Sequence, residues 1–329
     1  MTVNRRIFLA GLASMAGPTA TFAQNEAKFP TQNIKVIVPY PAGGPYDGIA
    51  RVVGQFLTEK YGWQLTVENR AGASGITGIL AAKQSAPDGH TVVVTTSSTH
   101  GSAPALNKDL RYDPIKDLDP IVLLAEAPMA LLVRKEMPVK SVAELIDLLR
   151  KNFGKYNYAS GGYASQHHLA MSMMFLQAEL PQNVAAHVPF QGLAPAVNAL
   201  VAGDVQFMFT TTGAASAFME NGALRPLAVS SLQRSPRLPN LPTMAESGFP
   251  GFQIVPWCGL AAPAGTPVAI LDIWNKFVNE ALNDKVAQQR ITNQDYDVRG
   301  GSAAAYTEFF TSDIRQYIRL AQTAGLTAN

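Results

Sequence analysis

The sequence predicts an α/β protein with parallel sheets, because one local pattern recurs along most of its 329 residues. Each repeat has a short apolar run, then a glycine-rich or polar loop, then a segment with apolar residues at helical spacing. Alternation of strands and helices is typical of layered α/β architecture. The length suggests about two domains at the usual ~100–200 residues each, and two smaller sheets suit the chain better than one large sheet.

The first half of the chain contains three such strands. Residues 34–40 read "IKVIVPY", and apolar side chains follow their loop at the spacing of a helix packed on a sheet. Residues 65–69 and 91–98 form the next two predicted strands. The run at 91–98 is mostly β-branched, which is typical of a strand covered on both faces.

The second half repeats the pattern and then changes. The stretch 232–267 is rich in Pro and Gly and has no long helical pattern, so we expect it to carry the chain back to the first domain. Residues 268–329 carry apolar stripes at helical spacing and are predicted to be helical. The predicted strands of this half lie within 156–162, 185–192, 205–211 and 224–231.

The N-terminus predicts export from the cytoplasm. Arg5 and Arg6 precede a short, mildly apolar stretch, and the small residues near Ala23 are those that a signal peptidase needs. The segment 1–23 resembles a twin-arginine export signal, and an ordinary secretory signal that carries two arginines is the alternative. Either signal implies a periplasmic protein, with cleavage expected after Ala23.

Composition and short motifs argue against several classes of function. The net charge of +2 is too small and too evenly spread for a nucleic-acid partner. The sequence has no dinucleotide fingerprint, phosphate-binding loop, serine-hydrolase elbow or metal-ligand spacing, and we expect neither a cofactor nor a metal. The adjacent His167 and His168 should point to different sides of a helix, and Ser160 with His167 follows no catalytic spacing. The one cysteine, Cys258, is expected to be a buried apolar residue.

Uncharged loops follow the predicted strands at the edge where ligands bind in α/β sheets. Small hydroxyl residues and glycines at helix starts suit a carboxylate, because unpaired amides and the helix dipole favour an anion. The same residues also cap helices and form turns, so a single loop would be ambiguous. The four loops are Ala42-Gly43-Gly44-Pro45-Tyr46, Ser97-Ser98-Thr99-His100, Ser160-Gly161-Gly162 and Thr210-Thr211-Thr212-Gly213.

Asp47 has two possible roles at the start of the first helix. An acid there accepts hydrogen bonds from unpaired amides and stabilises the helix by about 1 kcal/mol. It could instead contact an ammonium or hydroxyl group of a ligand. The structural role is favoured, because a carboxylate would repel a carboxylate ligand.

These loops lie in segments that resemble a known family. The stretch "VPYPAGGPYDGIAR" is similar to the first-loop motif of the substrate-binding receptors of tripartite tricarboxylate transporters, also called Bug receptors. The similarity continues in order through "ENRAGASGITG", "YASGGYASQHHLA", "HVPFQGLAPAVNALVAGDVQFMF" and "RLPNLPTMAESGFPGF". It therefore covers nearly all of the chain that follows the N-terminal segment.

The resemblance implies a type II periplasmic binding protein fold, in which two α/β lobes joined by a hinge close on a ligand in the cleft between them. With this fold we expect residues 24–125 and 251–329 to form the first lobe and 126–250 the second. The resemblance further implies a small carboxylate ligand, membrane transporter subunits as partners, and no enzymatic step. We expect the receptor to be a monomer.

The resemblance also implies which residues contact the ligand: the first loop, the end of the third strand, and the first loop of the second lobe. Many relatives have an acid where this chain has Thr210, which disfavours an amino acid as the ligand. Tyr46 and Phe190 either offer aromatic faces to the ligand or pack within the protein. The expected ligand-binding residues are Ala42, Gly43, Gly44, Tyr46, Asp47, Ser97, Ser98, Thr99, Ser160, Gly161, Gly162, Ser165, Phe190 and Thr210.

These observations together predict a periplasmic receptor that captures a dicarboxylate or an aromatic acid by hinge closure and delivers it to a membrane transporter. Two other functions stay open at this point. One is a periplasmic sensor that feeds a signalling protein. The other is an enzyme that acts on a carboxylic acid.

Overall fold

The computed structural model describes residues 29–107, 109–163, 165–190, 193–323 and 325. The predicted export signal and its cleavage site at Ala23 lie outside these residues. The strands of the described chain are β1 (Ile34–Val38), β2 (Leu65–Asn69), β3 (Thr91–Thr96), β4 (Leu118–Glu126), β5 (Met129–Arg134), β6 (Asn157–Ser160), β7 (Ala186–Pro189), β8 (Phe207–Thr211), β9 (Leu224–Val229), β10 (Trp257–Pro263) and β11 (Asp297–Val298).

The helices alternate with these strands as the sequence predicts. A 3₁₀ turn at Ala73–Gly75 and a π-helical segment at Ser97–Ser102 precede α2 and α3. The helices of the described chain are α1 (Pro45–Tyr61), α2 (Ile76–Lys83), α3 (Ala103–Leu106), α4 (Val142–Lys151), α5 (Gln166–Gln177), α6 (Leu193–Ala202), α7 (Thr212–Glu220), α8 (Val268–Asn283), α9 (Lys285–Thr292) and α10 (Ala303–Thr323).

The strands form two sheets, as predicted, and each sheet is the centre of one lobe. The first lobe has the order β11-β4-β10-β3-β1-β2, and the second has the order β7-β6-β8-β5-β9. Apolar side chains cover both faces of each sheet, which explains the long buried runs in strands such as β3.

The prediction of purely parallel sheets is wrong in part, because both sheets are mixed. Strands β1, β2 and β3 are parallel, but β10 runs antiparallel to β3 and to β4. In the second lobe, β5 runs antiparallel to β8 and β9. The reason is topological: a strand that arrives from the other lobe enters the sheet at its cleft edge, opposite to the strands that begin within the lobe.

The chain crosses between the lobes beneath the cleft. Strand β4 ends at Glu126 in the first sheet, and β5 begins three residues later in the second. On the way back, Phe252 and Ile254 pack in the core of the second lobe before β10 begins at Trp257. The Ala127 amide donates to the Pro256 carbonyl oxygen at 2.7 Å, so the two crossings lie side by side.

Helix α10 packs across both lobes. Its first half packs Tyr306 and Phe310 against Trp257 of the first sheet, and Tyr317 farther along lies in the core of the second lobe. Gly259 of β10 allows this contact, since a Cβ atom there would lie 2.1 Å from the Tyr306 hydroxyl oxygen.

Two further sequence expectations concern single residues. Cys258 is fully buried in the first lobe, which confirms its expected role as an apolar core residue. Burial also raises the pKa of the Cys258 thiol far above its usual value, so the thiol is unreactive. In the described part of the chain, no helix combines the length and apolarity needed to cross a membrane.

Asp313 is a buried acid in the contact between α10 and β10. Its Oδ2 accepts a hydrogen bond from Trp257 Nε1 at 2.7 Å. Burial raises the pKa of Asp313 to about 7, the Trp257 hydrogen bond opposes the rise, and the charge of Glu126 adds to it. A raised pKa in an acid means that the folded state binds the proton more tightly than the unfolded chain does. The unfolded chain loses this proton near pH 4, whereas the folded state keeps it up to about pH 7. The free energy of unfolding therefore falls as the pH rises from about 4 to about 7.

We expect Asp313→Asn to gain stability relative to the wild type as the pH rises through this window. The asparagine oxygen still accepts from Trp257, but it never ionises, so the gain should reach the order of a few kcal/mol at pH 7 and be small at pH 4. Urea unfolding at several pH values measures it. The difference between the two proteins is the informative quantity, because the buried histidines titrate in both. A difference that is constant with pH would contradict this account.

Candidate ligand-binding site

The first loop is held from within by Asp47. Gly43 has φ = 83°, a left-handed conformation that favours glycine, and its amide donates to Asp47 Oδ2 at 2.9 Å. Arg51 Nε donates to the same oxygen at 2.9 Å, and Asn69 Nδ2 donates to Oδ1 at 2.9 Å. This corrects the expectation that the loop amides are bare: the Gly43 amide is bonded to the protein's own carboxylate. It also agrees with the structural role favoured for Asp47.

Asp47 is buried but stays ionised. Burial alone would raise its pKa, but the hydrogen bonds from Arg51, from the Gly43 amide and from Asn69 outweigh burial and lower the pKa to about 2. A carboxylate with a lowered pKa contributes stability above its unfolded pKa of about 4, and this stability is lost as the pH falls towards 2.

The end of β3 also uses several of its polar groups internally. Thr96 and Thr99 form a reciprocal capping box at the start of the π-helical segment, and Thr99 Oγ1 also bonds His100 Nδ1 at 2.8 Å. Ser97 Oγ accepts from the Trp257 amide at 3.2 Å, which ties this loop to the returning strand β10. Ser98 is only partly buried and has surface to offer to a ligand.

The two aromatic residues proposed as ligand contacts pack within their lobes. The Tyr46 ring lies 4.9 Å from the Tyr40 ring and 5.9 Å from the Tyr296 ring, centroid to centroid. Phe190 packs on the second-lobe core. The sequence left open whether Tyr46 and Phe190 face the ligand or pack within the protein. The structure shows packing contacts for both.

In the second lobe, hydrogen bonds within the protein hold the loop after β6 in place. Ser160 Oγ is buried, bonds His187 Nε2 at 2.7 Å and donates to the Gly162 carbonyl at 2.7 Å. The partner of Ser160 is thus His187 and not His167. Ser165 is the N-cap of α5 and accepts from the His168 amide at 3.4 Å.

The remaining predicted residue, Thr210, lies at the cleft end of β8. Its hydroxyl is buried without a hydrogen-bond partner among the described residues, and so is the hydroxyl of Thr212 at the start of α7. Next to them, Asp295 of the first lobe lies against Gly213, where a Cβ atom would be only 2.0 Å from its Oδ2. A carboxylate of the protein itself thus occupies the start of α7.

A cavity of about 520 Å³ lies between the lobes, and its size is typical of a small-molecule site. It brings together Ser98 from the first lobe and Gly161, Gly162 and Ser165 from the second. The other ten predicted residues do not line it. The full lining is Ala73, Ile76, Ser98, Ser102, Ala103, Leu106, Asn107, Gly161, Gly162, Tyr163 and Ser165.

Seven of these lining residues were absent from the sequence prediction. Ala73 and Ile76 belong to the "RAGASGITG" stretch, whose glycines marked it as a loop behind a strand end and could have added it to the site. Ser102 ends the π-helical segment, and Ala103, Leu106 and Asn107 follow it; the sequence pattern did not show this segment. Tyr163 lies within the same loop as Gly162 and is exposed.

The site has an uncharged, hydrogen-bonding character. None of the described lining residues is charged, and the nearby imidazoles are neutral at pH 7. Burial lowers the pKa of His168 to about 3, with a further contribution from His187, and lowers the pKa of His187 to about 4. The described residues contain no cluster of three or more potential metal-binding side chains. The arrangement suits an anion held by amides and hydroxyl groups.

A family model described as the tripartite tricarboxylate transporter family receptor matches residues 49–326. The chain belongs to this family. BugT from Bordetella pertussis is 32% identical over 296 residues, which cover 89% of this chain and 89% of BugT. The family consists of periplasmic solute-binding receptors that bind small carboxylates and work with tripartite transporters, and it is not a class of enzymes.

Solved structures of similar proteins have the same two-lobed α/β fold, which confirms the predicted fold class. Rpa4515 of R. palustris, solved with adipate, is 30% identical with a TM-score of 0.73 and covers 90% of this chain and 98% of that one. MatC (Rpa3494) of Rhodopseudomonas palustris, solved with malate, is 32% identical with a TM-score of 0.69, covering 89% and 99%. The periplasmic binding protein BugD is 30% identical with a TM-score of 0.70, covering 92% and 100%.

We expect Asp47→Asn to destabilise the receptor by about 2 kcal/mol at pH 7, because a neutral amide cannot accept from the Gly43 amide, Arg51 and Asn69 together. The loss should shrink near pH 2, where the wild-type carboxyl group is itself protonated. Urea unfolding at both pH values measures it. Glu59→Gln, an exposed acid on the same helix, is the control and should change stability by less than about 0.5 kcal/mol. Equal losses in the two variants would contradict the role assigned to Asp47.

Proposed function

We propose that this chain is an exported periplasmic receptor that captures a small organic carboxylate by hinge closure and delivers it to the membrane subunits of a tripartite tricarboxylate-type transporter. The observation that carries the proposal is the cavity between the lobes. It joins Ser98 of one lobe to the Gly161–Ser165 loop of the other and has no charged side chain among its described lining residues.

The cavity supports an anionic ligand through hydrogen bonds. Ser165 caps α5, so the positive end of this twelve-residue helix lies at the cavity wall. Ser98 and Ser102 supply hydroxyl groups from the opposite lobe. A carboxylate bound here would contact both lobes at once and would favour the closed arrangement over the open one.

We take a dicarboxylate or an aromatic acid as the ligand class, and related structures support the dicarboxylate. One was solved with adipate and another with malate, and both are acids of small size. In this chain, the cleft end of β8 carries Thr210 and no acid of its own, and the neighbouring Asp295 carboxylate is already paired with Arg237. This disfavours amino acids as ligands.

An enzyme acting on a carboxylic acid is the weaker alternative. Ser160 and His187 form the pair that a nucleophile and a base would require, with 2.7 Å between Ser160 Oγ and His187 Nε2. Ser160 is, however, fully buried and already donates to a backbone carbonyl, so its oxygen is not presented to a substrate. A sensor for a signalling protein would use the same cavity and differs only in its partner.

We expect small carboxylic acids to raise the melting temperature of the purified protein. A ligand that binds only the folded state at a hundred times its Kd adds about 2.7 kcal/mol of stability, which corresponds to several degrees for a chain of this size. The panel contains adipate, malate and benzoate, with adipamide and benzamide as uncharged controls. Mass spectrometry before and after incubation tests for turnover. The proposal fails if no acid in a broader panel shifts the transition, or if the amides shift it equally.

A further inference from the structure

The cavity has an apolar wall as well as polar groups. Ile76 begins α2 and packs on the first-lobe core, whereas Leu106 ends α3 and packs on the core cluster of the second lobe; both are half-buried and line the cavity. Tyr163 lies on the other side of the cavity and is 65% exposed. An exposed aromatic ring in a cleft offers a large apolar surface that a bound molecule can cover.

Apart from Tyr163, the same cavity has only four hydroxyl or amide side chains among its described lining residues. The described hydroxyl and amide side chains are Ser98, Ser102, Ser165 and Asn107. The Gly162 amide already donates to Ser160 Oγ and the Ser102 hydroxyl to the Ser98 carbonyl, so the remaining donors suffice for one carboxylate. A short acid with a hydroxyl or ammonium group beside its carboxylate would place that polar group against Ile76 and Leu106, where it loses water and gains no hydrogen bond.

We propose that this cavity selects carboxylic acids with a hydrocarbon body, either an aromatic ring or an alkyl chain of about six carbons, over short hydroxylated or amino-bearing acids. This rests on the proposed function. Ile76, Leu106 and Tyr163 set the selectivity, because they cover the hydrocarbon when the lobes close. Each additional methylene group that becomes buried should tighten binding by up to about fourfold.

Isothermal titration calorimetry with succinate, adipate, benzoate and malate tests this selectivity. Adipate and benzoate should bind at least about tenfold more tightly than malate, as two to three buried carbon groups imply. Malate binding as tightly as adipate would overturn the inference and leave the proposed function intact. Failure of every acid to bind would overturn the proposed function, and the inference with it.

Two variants test the assigned residues. Tyr163→Ser and Leu106→Ser should each weaken adipate binding about fivefold or more and change the affinity for malate less than about twofold. Ile115→Ser removes an exposed apolar side chain outside the cavity and is the matched control. Tyr163 is mostly exposed, so its variant should fold even if the Leu106 variant does not. Equal losses for adipate and malate in Tyr163→Ser would overturn the selective role of the wall.

A second, independent observation concerns an ion-pair cluster that bridges the lobes. Arg237 follows β9 on the side of the second lobe, and its Nη1 donates to Asp295 Oδ1 of the first lobe at 2.5 Å. Asp297 lies opposite Glu126 in the register of β11 and β4, at the cleft edge of the first sheet. Its Oδ1 is 3.6 Å from Arg237 Nε. Ser235 Oγ donates to Asp297 Oδ2 at 3.5 Å.

Asp295 makes a second contact with the opposite lobe. It lies against Gly213, the second residue of α7, whose N-cap Thr211 makes no side-chain capping bond. A carboxylate is stabilised by the positive end of a helix. Asp295 is also held at φ = 65°, a conformation that is unusual for a non-glycine residue. Within the described chain, it thus touches both an arginine and a helix start of the second lobe.

We infer that Arg237 and Asp295 form a latch that holds the lobes together in the absence of ligand. Both contacts of Asp295 cross the cleft edge, so rotation of the lobes away from each other must separate its carboxylate from the guanidinium and from α7. The Arg237 side chain is 26% exposed and the Asp295 side chain 47% exposed, so solvent screens this pair in part, and the contact of Asp295 with the start of α7 adds to the latch.

Paired spin labels on the ligand-free protein test the latch without any ligand. Cysteines at Glu59 on α1 and Lys151 on α4 report the distance between the lobes, and native Cys258 is buried and should not react. Arg237→Gln and Asp295→Asn should each lengthen or broaden the distance distribution, and the double variant should add nothing further. Arg234→Gln is the matched control, because its partner Glu246 lies in the same lobe. Distributions identical to the wild type in both single variants, or additive shifts in the double variant, would overturn the inference.

Discussion

The structure depends on the constraint that two chain crossings share one narrow place beneath the cleft. The hydrogen bond from the Ala127 amide to the Pro256 carbonyl holds the outgoing and the returning segments side by side. Both crossings enter the sheets at the cleft edge. The antiparallel strands β5 and β10 therefore begin in the region where the parallel strands end and their loops follow. Trp257 shows the consequence, because it begins β10, donates its amide N–H to Ser97 Oγ and donates its ring N–H to Asp313 of α10. The loop after β3, the returning segment and the terminal helix are thereby connected through one residue.

Hydrogen-bond satisfaction within the fold decides which polar groups remain for a ligand. Buried amides and hydroxyl groups need partners, and the first loop and the end of β3 obtain them from Asp47, Thr96 and Trp257. Glycine at position 43 serves a tight left-handed turn that brings its amide to the Asp47 carboxylate. Internal bonding also reaches the cavity lining, since the Gly162 amide donates to Ser160 Oγ and the Ser102 hydroxyl to the Ser98 carbonyl. The other hydrogen-bond donors of the lining are the groups that remain for a ligand.

The sequence predicted the two-sheet α/β fold because strand and helix periodicities are local properties of the chain. Four of the residues that it named also line the cavity between the lobes, since glycines and small hydroxyl residues after a strand mark the cleft edge of a sheet. The mixed strand direction was missed, because the direction of β10 is set by the path of the chain through the other lobe and not by its own residues. The contribution of Ile76 and Leu106 was missed for a similar reason: a half-buried apolar residue in a helix reads as core, and only the facing lobe shows that part of it is left uncovered.

Two acids of this chain occupy the places where a carboxylate ligand was expected. Asp47 accepts the amide of the first loop, and Asp295 lies against the start of α7. Each satisfies or neutralises positive groups that would otherwise hold an anion, and each is itself balanced by an arginine, Arg51 or Arg237. These loops do bind anions, but at two of them the bound anion is a carboxylate of the protein itself. What distinguishes the cavity is that its described polar groups are unaccompanied by any acid, so an incoming carboxylate meets hydrogen-bond donors without competition from a resident charge.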